Sequence, residues 1–277
     1  MKTVTLPAGE RVPAFGQGTW YMGEDQTKRS EEIATLQRGL DLGLTLIDTA
    51  EMYGDGQSEE LVAEAIDKRR DEVFLVSKVY PWNASHADAI AACERSLKRL
   101  NTDRIDLYLL HWRGDVPLAQ TLAAFQELQQ SGKIRHYGVA NFDRNDMQDL
   151  WSIAGGQEVA TDQVLYNLVR RNMEPDLLPW LRERHIPVMA YSPLERARLA
   201  DDQQLVEFAR RHERTPAQIA LAWLLAADDI IVIPKTGNRM RLEENVRALE
   251  QPLTAEQLTE LNHLFPPPDR PQPLEIH

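Results

Sequence analysis

A closed (β/α)8 barrel is the fold that this chain predicts, and three observations carry it. Short apolar runs alternate with helical patterns from end to end, there are eight such runs, and several are apolar at consecutive positions, as strands buried on both faces are. The chain has 277 residues, a normal length for one such barrel, and is 43% hydrophobic, enough for a large core. No repeat, low-complexity tract or linker divides it, so residues 1–277 read as a single domain.

In chain order the strands are expected at 14–18, 45–48, 73–79, 105–111, 134–139, 160–165, 187–192 and 230–234. Before them, 4–12 reads as a β-hairpin able to plug the bottom of the barrel. Ser30 is expected to cap a helix carrying Ile33, Leu36 and Leu40, and Ser58 to start the next, with Glu59 and Glu60 near its positive end. Ser85 and Asp88 read as a capping box ahead of Ile90, Leu97 and Leu100. Leu118, Leu122, Phe125 and Leu128 form another helical stripe. Thr215, Pro216 and Gln218 combine cap, first-turn proline and capping-box glutamine, and the apolar helix that follows is expected to be buried. An extra C-terminal helix is expected over 253–265, followed by a proline-rich tail at 266–273, laid on the surface or disordered.

The formal charge of −12 argues against nucleic acid or an anionic membrane as a partner. No run approaches the roughly 20 apolar residues of a membrane span, and the N-terminus lacks a signal-peptide pattern. The single cysteine, Cys93, shares a face with Ile90, Leu97 and Leu100 and reads as a buried inert thiol, which suits the cytoplasm. No His/Cys spacing makes a metal site, and the acidic group Asp48, Glu51, Asp55 and Glu59 lacks calcium-loop spacing. Gly16-x-Gly18-x-x-Tyr21 puts tyrosine where a dinucleotide fingerprint needs its third glycine, and there is no Walker A motif.

Chemistry concentrates in Asp48, Tyr53, Lys78 and His111, each at or just past the end of an apolar run. Barrel active sites are built at that end. Singly, Asp48 could cap a turn, Tyr53 could be a rim aromatic and His111 a core histidine; jointly they suggest an acid/base site. A phenol near pKa 10 is a weak acid at neutral pH, and a neighbouring ammonium lowers that value. Lys78 is expected to do this for Tyr53, with Asp48 pairing Lys78 and His111 bonding the substrate oxygen. Nothing in the set donates hydride, so a cofactor must.

These words and their order resemble the aldo-keto reductase family, in particular its bacterial aldehyde and methylglyoxal reductases, from Gly18-Thr19-Trp20 to Asn245. The resemblance implies NADPH/NADP+ as cofactor and reduction of aldehydes and ketones by a monomer. It implies that Asn141 and Gln163 hold the nicotinamide carboxamide and that Tyr191 stacks on the ring. Lys235, Thr236 and Arg241 then meet the adenosine 2′-phosphate, and Glu244 and Asn245 the adenine. Gly18, Thr19, Trp20, Asp48, Ser192 and Leu194 complete the cofactor contacts. Trp20, Trp82 and Trp112, with Tyr53 and His111, either line an apolar substrate slot or pack as core. Arg241 and Glu244 could also be a surface ion pair, Gln163 and Asn141 could serve strand-end hydrogen bonding, and Thr236 could merely begin a turn.

Two departures stand out. Ala140 occupies the place of a common serine, removing one hydroxyl contact to the carboxamide, and the short charged loop after Leu194 is expected to enclose the cofactor less. A rival reading is a nucleotide-sensing regulatory protein on the same barrel with little turnover.

Overall fold

The computed structural model describes residues 1–277. Strands β1 (Thr3–Thr5) and β2 (Arg11–Pro13) pair antiparallel as the hairpin. Eight parallel strands follow in strict sequence order: β3 (Gln17–Gly18), β4 (Leu46–Asp48), β5 (Phe74–Val79), β6 (Ile105–Leu110), β7 (Ile134–Ala140), β8 (Asp162–Leu165), β9 (Val188–Tyr191) and β10 (Ile230–Val232). The seam closes through bridges Phe15–Val232 and Gly18–Lys235, with the Gly16 and Gly18 N–H groups donating to the carbonyls of Val232 and Pro234 at 2.8 and 3.0 Å. A Cβ on Gly18 would lie 2.9 Å from the Ile233 carbonyl oxygen, so the seam needs glycine there. Because closure runs through single bridges, the first barrel strand is shorter than the expected 14–18.

The helices are α1 (Arg29–Asp41), α2 (Gln57–Ala65), α3 (His86–Arg99), α4 (Leu118–Gln130), α5 (Arg144–Trp151), α6 (Leu177–Glu183), α7 (Gln203–Arg211), α8 (Pro216–Leu225), α9 (Arg239–Val246) and α10 (Ala255–Leu264). Thr215 and Gln218 form the expected reciprocal capping box, and Ile219–Leu225 of α8 are buried throughout. Two serine caps are corrected. Ser30 lies inside α1, whose N-cap is Lys28. Ser58 lies inside α2; its hydroxyl meets the Thr19 carbonyl at 3.0 Å and the Thr19 hydroxyl at 2.9 Å, so tertiary contacts claim the group that would have capped. Ser85 does cap α3 by accepting from the Asp88 N–H, but its own hydroxyl donates to the Asp88 carboxylate, leaving the box one-sided.

The hairpin buries Val4, Leu6 and Val12, and its Glu10 bonds Arg135 and His136 at the start of β7, which places it under the N-terminal end of the barrel. The C-terminal tail lies on the surface: the Pro273 carbonyl accepts from Asn172, and Glu275 pairs with Arg170. Cys93 is buried, and burial pushes its thiol up to about 12. No helix is long and apolar enough to cross a membrane, and no group of His, Cys, Asp and Glu residues could hold a metal ion.

Candidate active site

At the C-terminal ends of the strands, Asp48 closes β4, Lys78 is the penultimate residue of β5, and His111 follows β6. Tyr53 opens a short 3-10 turn after β4, whose next residues, Gly54 and Asp55, have φ of 57° and 51°. That left-handed turn folds the phenol back over the barrel mouth.

Lys78 has no solvent exposure. Its Nζ donates to both Asp48 oxygens and to the Thr49 carbonyl at 2.8 Å, and to the Tyr53 hydroxyl at 3.2 Å. An ammonium has three N–H groups, so the two Asp48 oxygens share one fork and every proton is engaged. The His111 ring stands edge-on to Tyr53 with centroids 6.0 Å apart. The four residues thus meet at one point.

The electrostatics correct one expectation. Burial and the Asp48 carboxylate raise the Tyr53 pKa well above its ordinary value, although Lys78 touches the hydroxyl. Asp48 largely cancels the lysine charge that the phenol sees, and desolvation disfavours the phenolate. Burial draws Lys78 down, opposed by Asp48. Burial, reinforced by Lys78, pushes His111 well below its ordinary value, so the ring is neutral, with Nδ1 enclosed and unpartnered.

A cleft of about 810 Å³ runs outward from Tyr53 and Asp48. Of the residues expected at a cofactor, Gly18, Thr19, Trp20, Tyr191, Ser192, Leu194, Lys235, Thr236, Arg241, Glu244 and Asn245 line it. Asn141 and Gln163 do not line it; they lie behind its inner end, bonded to residues there. Asn141 donates to the His111 carbonyl at 3.0 Å and accepts from the Tyr191 hydroxyl at 2.9 Å, while Gln163 donates to Asp48 at 2.7 Å. Gln163 is therefore also tied to the acid/base cluster, a link the sequence did not announce. Thr236 does serve a turn, accepting from the Asn238 N–H, and Asn238 caps α9. Arg241 makes no ion pair with Glu244, and neither Lys235 nor Arg241 has a carboxylate within ion-pair distance, although Glu31, Glu32 and Glu244 line the same cleft and Glu32 and Glu24 act on Lys235 through space. Burial, the largest cause, lowers the Lys235 pKa. Unpaired cations along a cleft of this size suit an anionic ligand as large as a phosphorylated dinucleotide.

The tryptophans divide. Trp20 stands 6.4 Å from Tyr53 and Trp112 stands 5.0 Å from His111, centroid to centroid. Trp82 is 62% exposed, stacked on Tyr80 and edge-on to Trp112, so it extends the aromatic wall and does not close a slot. Lys28, Arg196 and Asn238 also line the cleft and were missed. Arg196, on the short loop after Leu194, lies over the Trp20 ring at 4.7 Å, so this loop reaches the opposite lining of the cleft.

The sequence profile of the aldo/keto reductase family matches residues 14–265. Methylglyoxal reductase YeaE of Escherichia coli (strain K12) is 48% identical over 272 residues, covering 96% of each chain. Glyoxal reductase of Bacillus subtilis (strain 168) is 30% identical, over 95% of this chain and 92% of its own. The crystal structure of an aldo-keto reductase from Klebsiella pneumoniae in complex with NADPH superposes with a TM-score of 0.97 at 48% identity, covering 100% of this chain and 99% of that one.

Proposed function

Since the chain belongs to the aldo/keto reductase family, we propose that it reduces small aldehydes and dicarbonyls such as methylglyoxal, and also aromatic aldehydes and ketones, to alcohols with NADPH. The observation that carries the reading is the fully buried Lys78, bonded at once to Asp48 and to the Tyr53 hydroxyl at the inner end of a cleft with unpaired cations. When bound, the cofactor supplies hydride to the carbonyl carbon.

The protein's own groups handle the proton and the geometry. Tyr53, held as a neutral phenol by burial, gives its proton to the carbonyl oxygen as the hydride arrives. Lys78 steadies the resulting phenolate, and Asp48 keeps Lys78 charged and aimed. The neutral His111 ring hydrogen-bonds the same oxygen and fixes its approach. Trp20 and Trp112 flank the reacting carbonyl, with Trp82 farther out. Asn141 and Gln163 would hold the carboxamide and Tyr191 the ring face. Gly18, Thr19, Ser192 and Leu194 would line the bound dinucleotide. Lys235, Thr236 and Arg241 would take the 2′-phosphate, and Glu244 and Asn245 the adenine.

We take the chain as one catalytic domain working as a monomer in the cytoplasm. The test is loss of NADPH absorbance with methylglyoxal and a panel of aldehydes. Steady turnover supports the reading; tight NADPH binding without turnover on any carbonyl would favour a nucleotide sensor instead.

A further inference from the structure

We infer that Glu51, set between Asp48 and Tyr53, is the positioning residue that fastens the aromatic wall of Tyr80, Trp82 and Trp112, and so gives the protein its hold on aldehydes that carry an aromatic ring. This rests on the carbonyl-reduction reading above. Glu51 is buried, yet its carboxylate makes no bond to Asp48, Tyr53, Lys78 or His111. A carboxylate is costly to bury unless its oxygens are bonded. Oε1 accepts from the Tyr80 N–H at 2.9 Å and from Asn83 Nδ2 at 3.1 Å. The other oxygen stands 4.0 Å from Arg95, a half-exposed cation whose pull is weak.

The two donors lie at opposite ends of one short turn. Pro81–Asn83 form a 3-10 turn after β5, closed by the Asn83 N–H donating to the Tyr80 carbonyl at 3.0 Å. One carboxylate oxygen therefore grips the turn at both ends. The backbone aims Glu51 at it, since the Glu51 N–H meets the Lys78 carbonyl at 3.4 Å, just before the chain leaves β5.

What the turn carries is the wall. Tyr80 stacks on Trp82 with centroids 4.1 Å apart, and both meet Trp112 edge-on, at 6.0 and 5.7 Å. Trp112 leads inward to His111. The exposed indole of Trp82 extends this series of rings outward, where a ring on the substrate can lie while its carbonyl faces Tyr53. Aromatic pairs gain beyond their buried area only in offset or edge-on geometry, so a wall free to swing would lose that gain. Methylglyoxal has no ring to place there and draws nothing from it.

Steady-state kinetics of the full chain with NADPH, against benzaldehyde and against methylglyoxal, tests this. Glu51→Ala should raise KM for benzaldehyde by about two- to tenfold, with kcat and both methylglyoxal constants unchanged. Glu51→Gln, whose amide oxygen still accepts from Tyr80 and Asn83, should restore the benzaldehyde KM. Should Glu51→Ala fail to fold, Asn83→Ala removes one of the two grips and reads the same split. Trp82→Ala should also raise the benzaldehyde KM, and adding Glu51→Ala to it should cost less than the product of the single effects, since both act through one wall. An unaltered benzaldehyde KM in Glu51→Ala, an equal change for both substrates or a loss confined to kcat would overturn the inference. So would a wild-type protein that reduces methylglyoxal and not benzaldehyde. A wild-type protein that reduces no carbonyl would instead overturn the reading on which it rests.

Discussion

The two ends of this barrel handle charge in opposite ways. At the N-terminal end, Asp106 accepts from Arg70 and Arg135 at 2.8 Å and from the Leu75 N–H at 2.9 Å. Arg135 continues to Glu10, Glu10 reaches His136, and Lys2 pairs with Asp228. At the C-terminal end Lys78 and Arg170 are paired, with Asp48 and Glu195, but Lys235, Arg241 and Arg196 have no carboxylate within ion-pair distance, and Thr49 Oγ1 and His111 Nδ1 are buried without hydrogen bonds. Saturated polar groups hold a structure together, whereas unsatisfied ones mark places that await something else. One end of the barrel is built for stability and the other for binding.

The sharpest way to break this contrast is to exchange the consequences of mutation. Tyr53→Phe should slow reduction by about 10²–10⁴-fold, the worth of a general acid, with NADPH affinity and thermal stability kept. A rate within a few-fold of wild type would remove Tyr53 from the chemistry. Asp106→Ala at the other end should cost about 3 kcal/mol of folding stability, near the lower bound for breaking a buried pair because Arg135 is half exposed. Urea denaturation reads that loss, and the kinetic constants of the folded fraction should not move. A changed KM would mean that the two ends are coupled.

Arg241→Ala should weaken NADPH by about 1.5–3 kcal/mol, as for a hydrogen bond to a charged group, and spare NADH. Added salt should shrink that difference, since the site is open to solvent. Equal weakening of both cofactors would place Arg241 elsewhere on the dinucleotide.

The smallest expected effect is none. His111 has its pKa lowered and Tyr53 has its pKa raised, so neither changes protonation across the neutral range. The reduction rate at saturating NADPH should stay level from about pH 6.5 towards about pH 10, the ordinary histidine and tyrosine values. An acidic limb inside that window would show that His111 titrates there, and a basic limb that Tyr53 does or that Lys78, drawn down by burial, loses its proton.

What could be read in advance followed residue type. Asp48 and Lys78 are conspicuous because acids and amines are rare at the ends of apolar runs, and Thr215 with Gln218 caps a helix through neighbours in sequence. Contacts between distant segments were hidden. Ser58 reads as a cap until Thr19 takes its hydroxyl. Asp106 draws its two arginines from 36 and 29 residues away. Arg196 was illegible for another reason: Glu, Arg and Ala announce no left-handed backbone, so nothing in their types shows the loop turning towards Trp20. The Tyr53 phenol was misjudged in direction because the sequence names Lys78 as its neighbour without revealing how completely Asp48 answers that charge.

The closed set of bonds around Lys78 bears on chemical durability. A free amine beside a bound aldehyde adds to the carbonyl and forms an imine. All the protons of Lys78 are committed to Asp48, Thr49 and Tyr53, and the Asp48 carboxylate opposes the burial that draws its pKa down, which disfavours the neutral amine that could attack. Cys93, the only thiol, is sealed in the core with its pKa pushed up to about 12, which leaves almost no thiolate at neutral pH. The two nucleophilic side chains, the site lysine and the lone thiol, are thereby held back from reacting with a carbonyl compound bound in the cleft.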